Sequence, residues 1–353
     1  MQHPSHIRSG PRPLSMHIAM SGAKDEAAMS PMIRGIQRYQ NHPYKSTRAP
    51  FDTVWSAGTV SLRRIRASVE GGLPMLLVPS IINDSSIMDV CEERSLASWL
   101  AGQGMDVYLL DWGALCEDPD QDSLSMLISE RLLGAARYIA GQRGQPPHAL
   151  GYCMGGTMLA AAASEDTGAF DRLVFMAAPW DFHAGPQLLT GRVKLWAPKT
   201  LPRVMEKGVL PSDWLQGLFA SLDPDLALRK FSKFDAMDLE SEEARLFVAV
   251  EDWINSGPDI PAGVADETIQ GWFIQNKPGQ NKWIDTDRIE NKSLVIASSK
   301  DRLVEFESAQ ALAGILCHAT LVDPACGHIG MIAGRNSVGD VWRPIADFIA
   351  LQH

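Results

Sequence analysis

Short apolar runs alternate with longer stretches of helical periodicity over most of the chain. Apolar runs bounded by Gly, Pro or polar residues are typical of strands buried on both faces of a sheet. Strands that alternate with helices predict an α/β fold with a mostly parallel sheet flanked by helices. The predicted strands are 75–78, 106–112, 148–150, 172–177, 293–298 and 319–322, and the predicted helices are 95–101, 122–141, 308–315 and 341–351. A further segment, 59–70, alternates apolar and polar positions, which predicts an exposed edge strand.

The alternation is interrupted between residues 179 and 279. This stretch holds five of the ten tryptophans, and its prolines are expected to cut it into short pieces. We interpret it as a helical cap inserted over the carboxyl edge of the sheet, where open α/β folds bind ligands. Residues 1–30 lack a sustained period and are expected to be largely disordered, whereas 31–40 predict a short helix.

These patterns predict two regions. An N-terminal segment, 1–50, is expected to be partly disordered, and 51–353 is expected to form one catalytic domain with a cap insertion at about 180–280.

One hexapeptide, Gly151-Tyr152-Cys153-Met154-Gly155-Gly156, joins a short predicted strand to an Ala-rich predicted helix. A strand, a tight turn flanked by small residues and a helix form the context of a nucleophile elbow, with Cys153 at the place usually held by Ser. The backbone N–H of Met154 lies at the helix N-terminus, where it can stabilise an oxyanion. A second oxyanion donor is expected from the loop at 79–83, after the early strand.

Two further reactive side chains follow predicted strands, Asp301 after 293–298 and His328 after 319–322. A thiol is only partly ionised near neutral pH, so a nearby imidazole must take its proton and a carboxylate must fix the imidazole. The order nucleophile, acid, histidine is that of the α/β-hydrolase fold, which we therefore predict. Taken singly, a free cysteine such as Cys153 is usually a small buried hydrophobic residue, Asp301 also fits a turn or helix cap, and His328 also fits a surface position.

Composition and sequence patterns argue against several other classes of protein. A net charge of −10 and a pI near 5.4 argue against a nucleic-acid partner. Five cysteines without a C-x-x-C pair indicate a reduced protein, and the N-terminus has no signal-peptide core, so a cytoplasmic location is expected. No apolar stretch approaches the ~20 residues of a membrane span. Neither zinc-ligand spacing nor a Rossmann or P-loop glycine pattern is present, so no metal and no bound cofactor are expected.

Several segments resemble the polyhydroxyalkanoate synthase family, over roughly residues 55–350. The elbow resembles the Cys-containing lipase box of these enzymes, and other blocks are similar to their strand, acid and histidine motifs. Residue 302 is Arg where the family usually has His, residue 305 is Glu where Pro is common, and the long N-terminal domain of well-known members has no counterpart in the 50 residues before the sheet. The matching blocks are 77–83, 87–89, 95–100, 104–112, 151–157, 297–301 and 327–329.

The resemblance implies an acyltransferase that takes 3-hydroxyacyl groups from CoA onto Cys153 as a thioester, with His328 as general base. It assigns to Asp301 the activation of the hydroxyl that elongates the polyester, and to the backbone N–H groups of Met154 and Ile82 the oxyanion hole. It also implies a granule surface in the cytoplasm and either a homodimer or an accessory subunit.

Two alternatives stay open at this point. The same Cys, His and Asp set serves a hydrolase, either a hydroxyacyl thioesterase or a polyhydroxyalkanoate depolymerase. The second alternative is a granule-associated homologue without catalytic activity.

Overall fold

The fold is built on an eight-stranded sheet with strand order β1-β2-β4-β3-β5-β6-β9-β10. The computed structural model describes residues 8, 10–22, 26–48, 51–65, 71–118 and 122–351. The six strands from β4 to β10 in that order pair in parallel, whereas β1 pairs with β2, and β2 with β4, in antiparallel fashion. The predicted class, a mostly parallel sheet flanked by helices, is therefore confirmed. The strands are β1 Asp52–Ala57, β2 Val60–Ile65, β3 Leu73–Val78, β4 Met105–Asp111, β5 His148–Tyr152, β6 Leu173–Met176, β7 Val209–Leu210, β8 Ile260–Pro261, β9 Ser293–Ile296 and β10 Ala319–Val322.

Helices cover both faces of the sheet and form the insertion between β6 and β9. Two of the long predicted helices, 122–141 and 341–351, are each built from an α-helical and a π-helical part. The α-helices are α1 Leu14–Gly22, α2 Glu26–Gln40, α3 Leu96–Gly102, α4 Leu124–Met126, α5 Leu133–Arg143, α6 Met154–Glu165, α7 Leu188–Lys207, α8 Ser212–Leu222, α9 Leu226–Asp235, α10 Glu242–Ile254, α11 Ala262–Asp266, α12 Phe306–Ile315, α13 Gly330–Ala333 and α14 Arg343–Ala350. The π-helices are Leu127–Leu132, Glu267–Ile274 and Val338–Trp342, and short 3₁₀ turns lie at Ser85–Asp89, Leu115–Glu117 and Thr286–Arg288.

The apolar runs of the sequence become strands that contribute to two cores, one on each face of the sheet. Along β3, Leu76 and Val78 pack into one core, while Met75 and Leu77 pack into the other. This period of two is what places consecutive side chains on opposite faces of a strand. Because both faces are covered by helices, each of these strands reads as continuously apolar.

The edge-strand prediction for 59–70 is wrong. The segment forms β2 over Val60–Ile65, which lies between β1 and β4, and 66–70 fall outside the described residues. The edge is β1, whose residues are exposed or half-buried. Its six residues, DTVWSA, do not alternate regularly between apolar and polar positions, so the sequence pattern did not predict this strand.

The prediction of disorder over residues 1–30 is wrong for α1 and for the first turn of α2. Residues 1–7, 9 and 23–25, and the pair 49–50, lie outside the described part of the chain. Met32, Ile36 and Tyr39 of α2 are buried against α9. At Gly35 the two helices come so close that a Cβ would stand 1.9 Å from the carbonyl oxygen of Phe231. The helix is thus stabilised by a partner nearly two hundred residues away in sequence, which local periodicity does not reveal.

Residues 177–292 leave the sheet after β6 and return to it at β9, and we call this segment the cap. Its prolines do not all break helices as expected, because Pro198 and Pro202 lie inside the 20-residue helix α7. Both are on the exposed side of α7. Carbonyl groups that lose a helical partner there can bond to water, so the helix continues through both positions. Among the helices that the structure describes, none has the length and apolar character needed to cross a bilayer.

Candidate active site

The turn after β5 holds Cys153 in a backbone conformation that side chains rarely adopt, with φ 54° and ψ −129°. The N–H of Cys153 donates to the carbonyl of Met176 at 2.9 Å, and the N–H of Gly156 donates to the carbonyl of Cys153 at 2.9 Å. A strained conformation persists only where its surroundings fix it, and it places the side chain at the carboxyl edge of the sheet. The geometry is that of a nucleophile elbow.

Three small residues allow this turn to form because backbone passes directly beside each of them. A Cβ on Gly151 would stand 2.4 Å from the Cα of Gly156, and one on Gly155 would stand 2.3 Å from the carbonyl oxygen of Val78. Real Cβ atoms essentially never come this close to another heavy atom. The glycines are required by the approach of α6 to β5 and β3, since any side chain there would push the elbow away from the sheet.

The structure brings His328 and Asp301 together beside the elbow. Nδ1 of His328 lies 2.7 Å from Oδ2 of Asp301, whose side chain is only 1% exposed. The other carboxylate oxygen of Asp301 accepts the backbone N–H groups of Leu303 at 2.8 Å and Val304 at 3.0 Å. With Nδ1 engaged by the carboxylate, Nε2 is the ring nitrogen left for Cys153.

The charges of the site act on the imidazole of His328. Burial on its own lowers the pKa of this histidine, but Asp301 and Cys153 outweigh it through attraction and hydrogen bonds. The net effect raises the pKa of His328 above its usual value, to about 10. The surroundings of the imidazole thus favour its protonated form. A positive charge beside a cysteine sulfur favours the thiolate, which is the nucleophilic form.

Tyr152, which was not predicted as a site residue, packs against the ring of His328 and bonds its backbone. Its ring lies 4.9 Å from the His328 ring between centroids, and its hydroxyl donates to the His328 carbonyl at 3.2 Å. Burial raises the pKa of Tyr152 well above the ordinary tyrosine value, so it stays neutral. The sequence offered one indication of this role, which is that Tyr152 directly precedes the nucleophile within the elbow motif.

The residues of the two predicted oxyanion donors, Met154 and Ile82, line one cavity. Met154 begins α6, so its N–H is among the unpaired donors at the helix N-terminus. The N–H of Ile82 donates to the hydroxyl of Ser80 at 3.2 Å. The loop that carries Ile82 is fixed by the indole N–H of Trp112, which donates to the carbonyl of Pro79 at 2.9 Å. The assignment of these two N–H groups to an oxyanion hole remains a prediction.

Cys153 and Met154 line a cavity between the sheet edge and the cap. It encloses about 940 Å³ of space between atoms, its open mouth included. The cap contributes apolar walls from α7, α8 and the π-helix Glu267–Ile274, and the loop after Asp301 contributes Leu303, Val304 and Glu305. A largely apolar cavity that begins at a nucleophile suits an acyl chain.

Packing explains the positions of other cysteine, histidine and tryptophan side chains in this part of the molecule. Burial raises the pKa of Cys326 to about 11, so this thiol stays protonated near neutral pH. Nε2 of His183 lies 2.9 Å from the carbonyl oxygen of Phe273, a contact within the cap. Of the six tryptophans in the cap, Trp214 lines the cavity, whereas Trp180 and Trp272 are fully buried. Within the described ranges, no group of three or more His, Cys, Asp or Glu residues is arranged as a metal site.

Comparison with known proteins places the chain in a large fold family and in one family within it. Residues 74–334 match the family model of the alpha/beta hydrolase fold. A solved structure, a thermophilic esterase from Thermogutta terrifontis, superposes with a TM-score of 0.52 at 14% identity, covering 86% of this chain and 98% of the esterase. The fold and the elbow together define an α/β-hydrolase-fold protein with cysteine at the turn.

Two relatives narrow this class. The poly(3-hydroxyalkanoate) polymerase subunit PhaC of Synechocystis sp. is 30% identical over 321 residues, which cover 85% of this chain and 84% of the relative. The subunit of the same name from Haloferax mediterranei is 27% identical over 318 residues, and the match spans 86% of this chain and 64% of that longer relative. The chain belongs to the family of poly(3-hydroxyalkanoate) polymerase subunits, as the sequence blocks had indicated.

Proposed function

We propose that this protein is an acyltransferase that takes 3-hydroxyacyl groups from CoA onto Cys153 and transfers them to the hydroxyl end of a growing polyester. The observation that carries the proposal is a thiol at a strained elbow, beside the pair His328–Asp301, at the start of an apolar cavity. Membership of the polymerase-subunit family supports the choice of substrate class.

In the first step the sulfur of Cys153 attacks the carbonyl carbon of the acyl-CoA. His328 receives the thiol proton at Nε2 and returns it to the departing CoA sulfur, so a thioester bond forms while another breaks. The negative oxygen of the intermediate is bound by the N–H groups of Met154 and Ile82. The latter must release the hydroxyl of Ser80, from which it lies 3.2 Å in the present structure.

In the second step the hydroxyl of the acceptor attacks the acyl-enzyme. His328 takes the hydroxyl proton and gives it to the sulfur of Cys153, which leaves as the ester bond forms. Once acylated, Cys153 no longer carries a charge that raises the pKa of His328, so the imidazole is more readily neutral for this step. The charge state of the sulfur thus prepares the same histidine for each half of the cycle.

We assign to Asp301 the role of orienting His328 in both steps. One of its oxygens bonds the imidazole and the other accepts two backbone N–H groups. A carboxylate that is 1% exposed and fully engaged would have to leave the histidine before it could reach an acceptor hydroxyl. This assignment differs from the elongation role that the family resemblance implied for Asp301.

The surroundings of the reaction are also part of the proposal. The apolar cavity would hold the acyl chain and exclude water, which competes with the acceptor hydroxyl. The matching relatives are named as subunits, which supports assembly with an accessory chain or a second copy. A polyester product is insoluble in water, so we place the working enzyme at the surface of a granule in the cytoplasm.

The proposal is tested by incubating the purified protein with 3-hydroxybutyryl-CoA. Released CoA is measured by chromatography, and the acyl product is separated into polymer and free acid. We expect CoA release with polymer, lost in Cys153→Ala and retained in the matched variant Cys326→Ala. Free acid in an amount equal to the CoA would instead assign a thioesterase. Unchanged release in Cys153→Ala would remove the nucleophile assignment.

A further inference from the structure

The loop that carries Asp301 also contacts the cap through Glu305. We call residues 301–305 the acid loop. At its start, Asp301 bonds His328. At its end, the two carboxylate oxygens of Glu305 accept the backbone N–H groups of Gln187 at 2.8 Å and Leu188 at 2.6 Å.

These two N–H groups belong to the beginning of α7, where no neighbouring side chain forms a helix-capping hydrogen bond. Gln187 precedes the helix in the left-handed conformation, with φ 56°, and its side chain caps nothing. The first N–H groups of a helix lack partners within the helix, and the positive end of its dipole attracts a carboxylate. Glu305 therefore acts as the N-terminal capping residue of α7, although it comes from a distant part of the chain.

The start of α7 is also a wall of the cavity. Leu189, Thr190 and Val193 line the same cavity as Cys153, and so do Leu303 and Val304 of the acid loop. Glu305 thus joins the wall that the cap provides to the loop that orients the catalytic histidine. Charge-assisted hydrogen bonds of this type are shorter and stronger than neutral ones.

We propose that Glu305 is a positioning residue that holds the start of α7 against the acid loop and so limits the opening of the cavity above Cys153. The inference concerns the site of the proposed function, and its consequence for acyl-CoA rests on that function. Release of this contact widens the entrance for large molecules while leaving the sulfur and its histidine in place.

The test compares alkylation of Cys153 by a small reagent, iodoacetamide, and a large one, fluorescein-5-maleimide. Labelling is followed by mass spectrometry on the peptide that contains Cys153. In Glu305→Ala we expect the large reagent to react about tenfold faster, because losing two charge-assisted hydrogen bonds favours the open cap by about that factor. The small reagent should change by less than about twofold, since it already enters the closed form.

Glu290 offers a matched control because it is an exposed acid before the amino end of β9, opposite the end that carries Asp301, and Glu290→Ala should alter neither rate. Glu305→Gln, which keeps the shape and one acceptor oxygen, should fall between the wild type and Glu305→Ala. It carries the test by itself if Glu305→Ala does not fold. Equal acceleration of both reagents, or an unchanged rate for the large one, would overturn the proposal.

The acyl-CoA reaction gives a second readout. With 3-hydroxybutyryl-CoA, Glu305→Ala should raise KM about tenfold and leave kcat within about twofold, because substrate binding needs the positioned wall while the triad is intact. A tenfold fall of kcat in Glu305→Ala with an unchanged KM would also contradict a positioning role. Alkylation does not require acyl transfer, so a wild type without CoA release would fail the proposed function while the alkylation rates still decide the role of Glu305.

Discussion

Replacing Asp301 by Asn tests the orienting role of this carboxylate, because the exchange keeps the shape of the side chain and removes its charge. One oxygen accepts the N–H groups of Leu303 and Val304, so the amide oxygen of Asn must stay there. The amide NH₂ then faces Nδ1 of His328, in the place of an oxygen that lay 2.7 Å away. Nδ1 becomes an acceptor, and the ring proton moves to Nε2, which can no longer take the proton of the thiol.

The size of the effect follows from the wrong tautomer and the lost charge. In the Ser-His-Asp triad of serine proteases, the same exchange lowers kcat by about 10⁴ through the tautomer. A thiol ionises more readily than a hydroxyl, so we expect a loss of about 10³ in the rate of acylation, or about 4 kcal/mol in the barrier. Acylation and transfer should fall together, since both use Nε2 of His328.

The assay is single-turnover CoA release in a quenched-flow instrument, followed by transfer to a soluble hydroxyl acceptor over a range of pH. Asp301 is the first of the groups that raise the pKa of His328, and burial lowers it. In Asp301→Asn the pKa therefore falls, neutral imidazole persists at lower pH, and the acid limb of the residual transfer rate moves to lower pH. Asp301→Glu serves as the control that keeps the charge.

A loss of less than about tenfold in acylation, together with a large loss in transfer, would refute the orienting role. It would return Asp301 to the direct activation of the acceptor hydroxyl. An acid limb that moves to higher pH would contradict the electrostatic account, because it would mean that the carboxylate lowers the pKa of the imidazole.

Three further predictions use the packing of the molecule. At pH 7.5 iodoacetamide should label Cys153 well before Cys326, whose pKa is raised to about 11, and peptide mass spectra that show the reverse order would contradict the site. Gly155→Ala places a Cβ 2.3 Å from a backbone carbonyl, so chemical denaturation should show a loss of about 1–3 kcal/mol and CoA release should slow. Gly141→Ala is its control in an open helical position and should be neutral or stabilising. Gly35→Ala forces α2 away from α9 at a 1.9 Å contact and should cost a similar amount of stability without changing KM, whereas an unchanged stability would show that the contact relaxes freely.

The strands of the parallel sheet could be predicted because burial on both faces leaves a strong local signal. β3, β4, β5, β6, β9 and β10 all fall within two residues of their predicted bounds. The elbow and the strand ends that carry Asp301 and His328 followed from this, since parallel strands bring their carboxyl ends to one edge. The structure then joined Asp301 and His328 at 2.7 Å, a distance that spacing in the sequence does not contain.

The features that were not predicted depend on partners distant in sequence. α2 is helical because its apolar side chains meet α9, and β1 is a strand because β2 pairs with it. The length of α7 was not predicted because two prolines interrupt its sequence, and both lie on the exposed side of the helix. The capping of α7 by Glu305 spans 117 residues in sequence, so no local pattern indicates it.

The cap leaves the sheet at the carboxyl end of β6 and returns at the amino end of its parallel neighbour β9, since these strands pair in register from Leu173 with Ser293 to Met176 with Ile296. Both junctions are held in the sheet by backbone hydrogen bonds, from Ala177 to Ile296 and from Leu173 to Lys292, so they keep their places when the sequence between them changes. Chimeras that combine this sheet with caps from homologous chains therefore test whether the cap selects the acyl group that the proposed transferase accepts. Residue 305 lies outside the exchanged segment, and a donor cap should be transferred together with its own residue at that position.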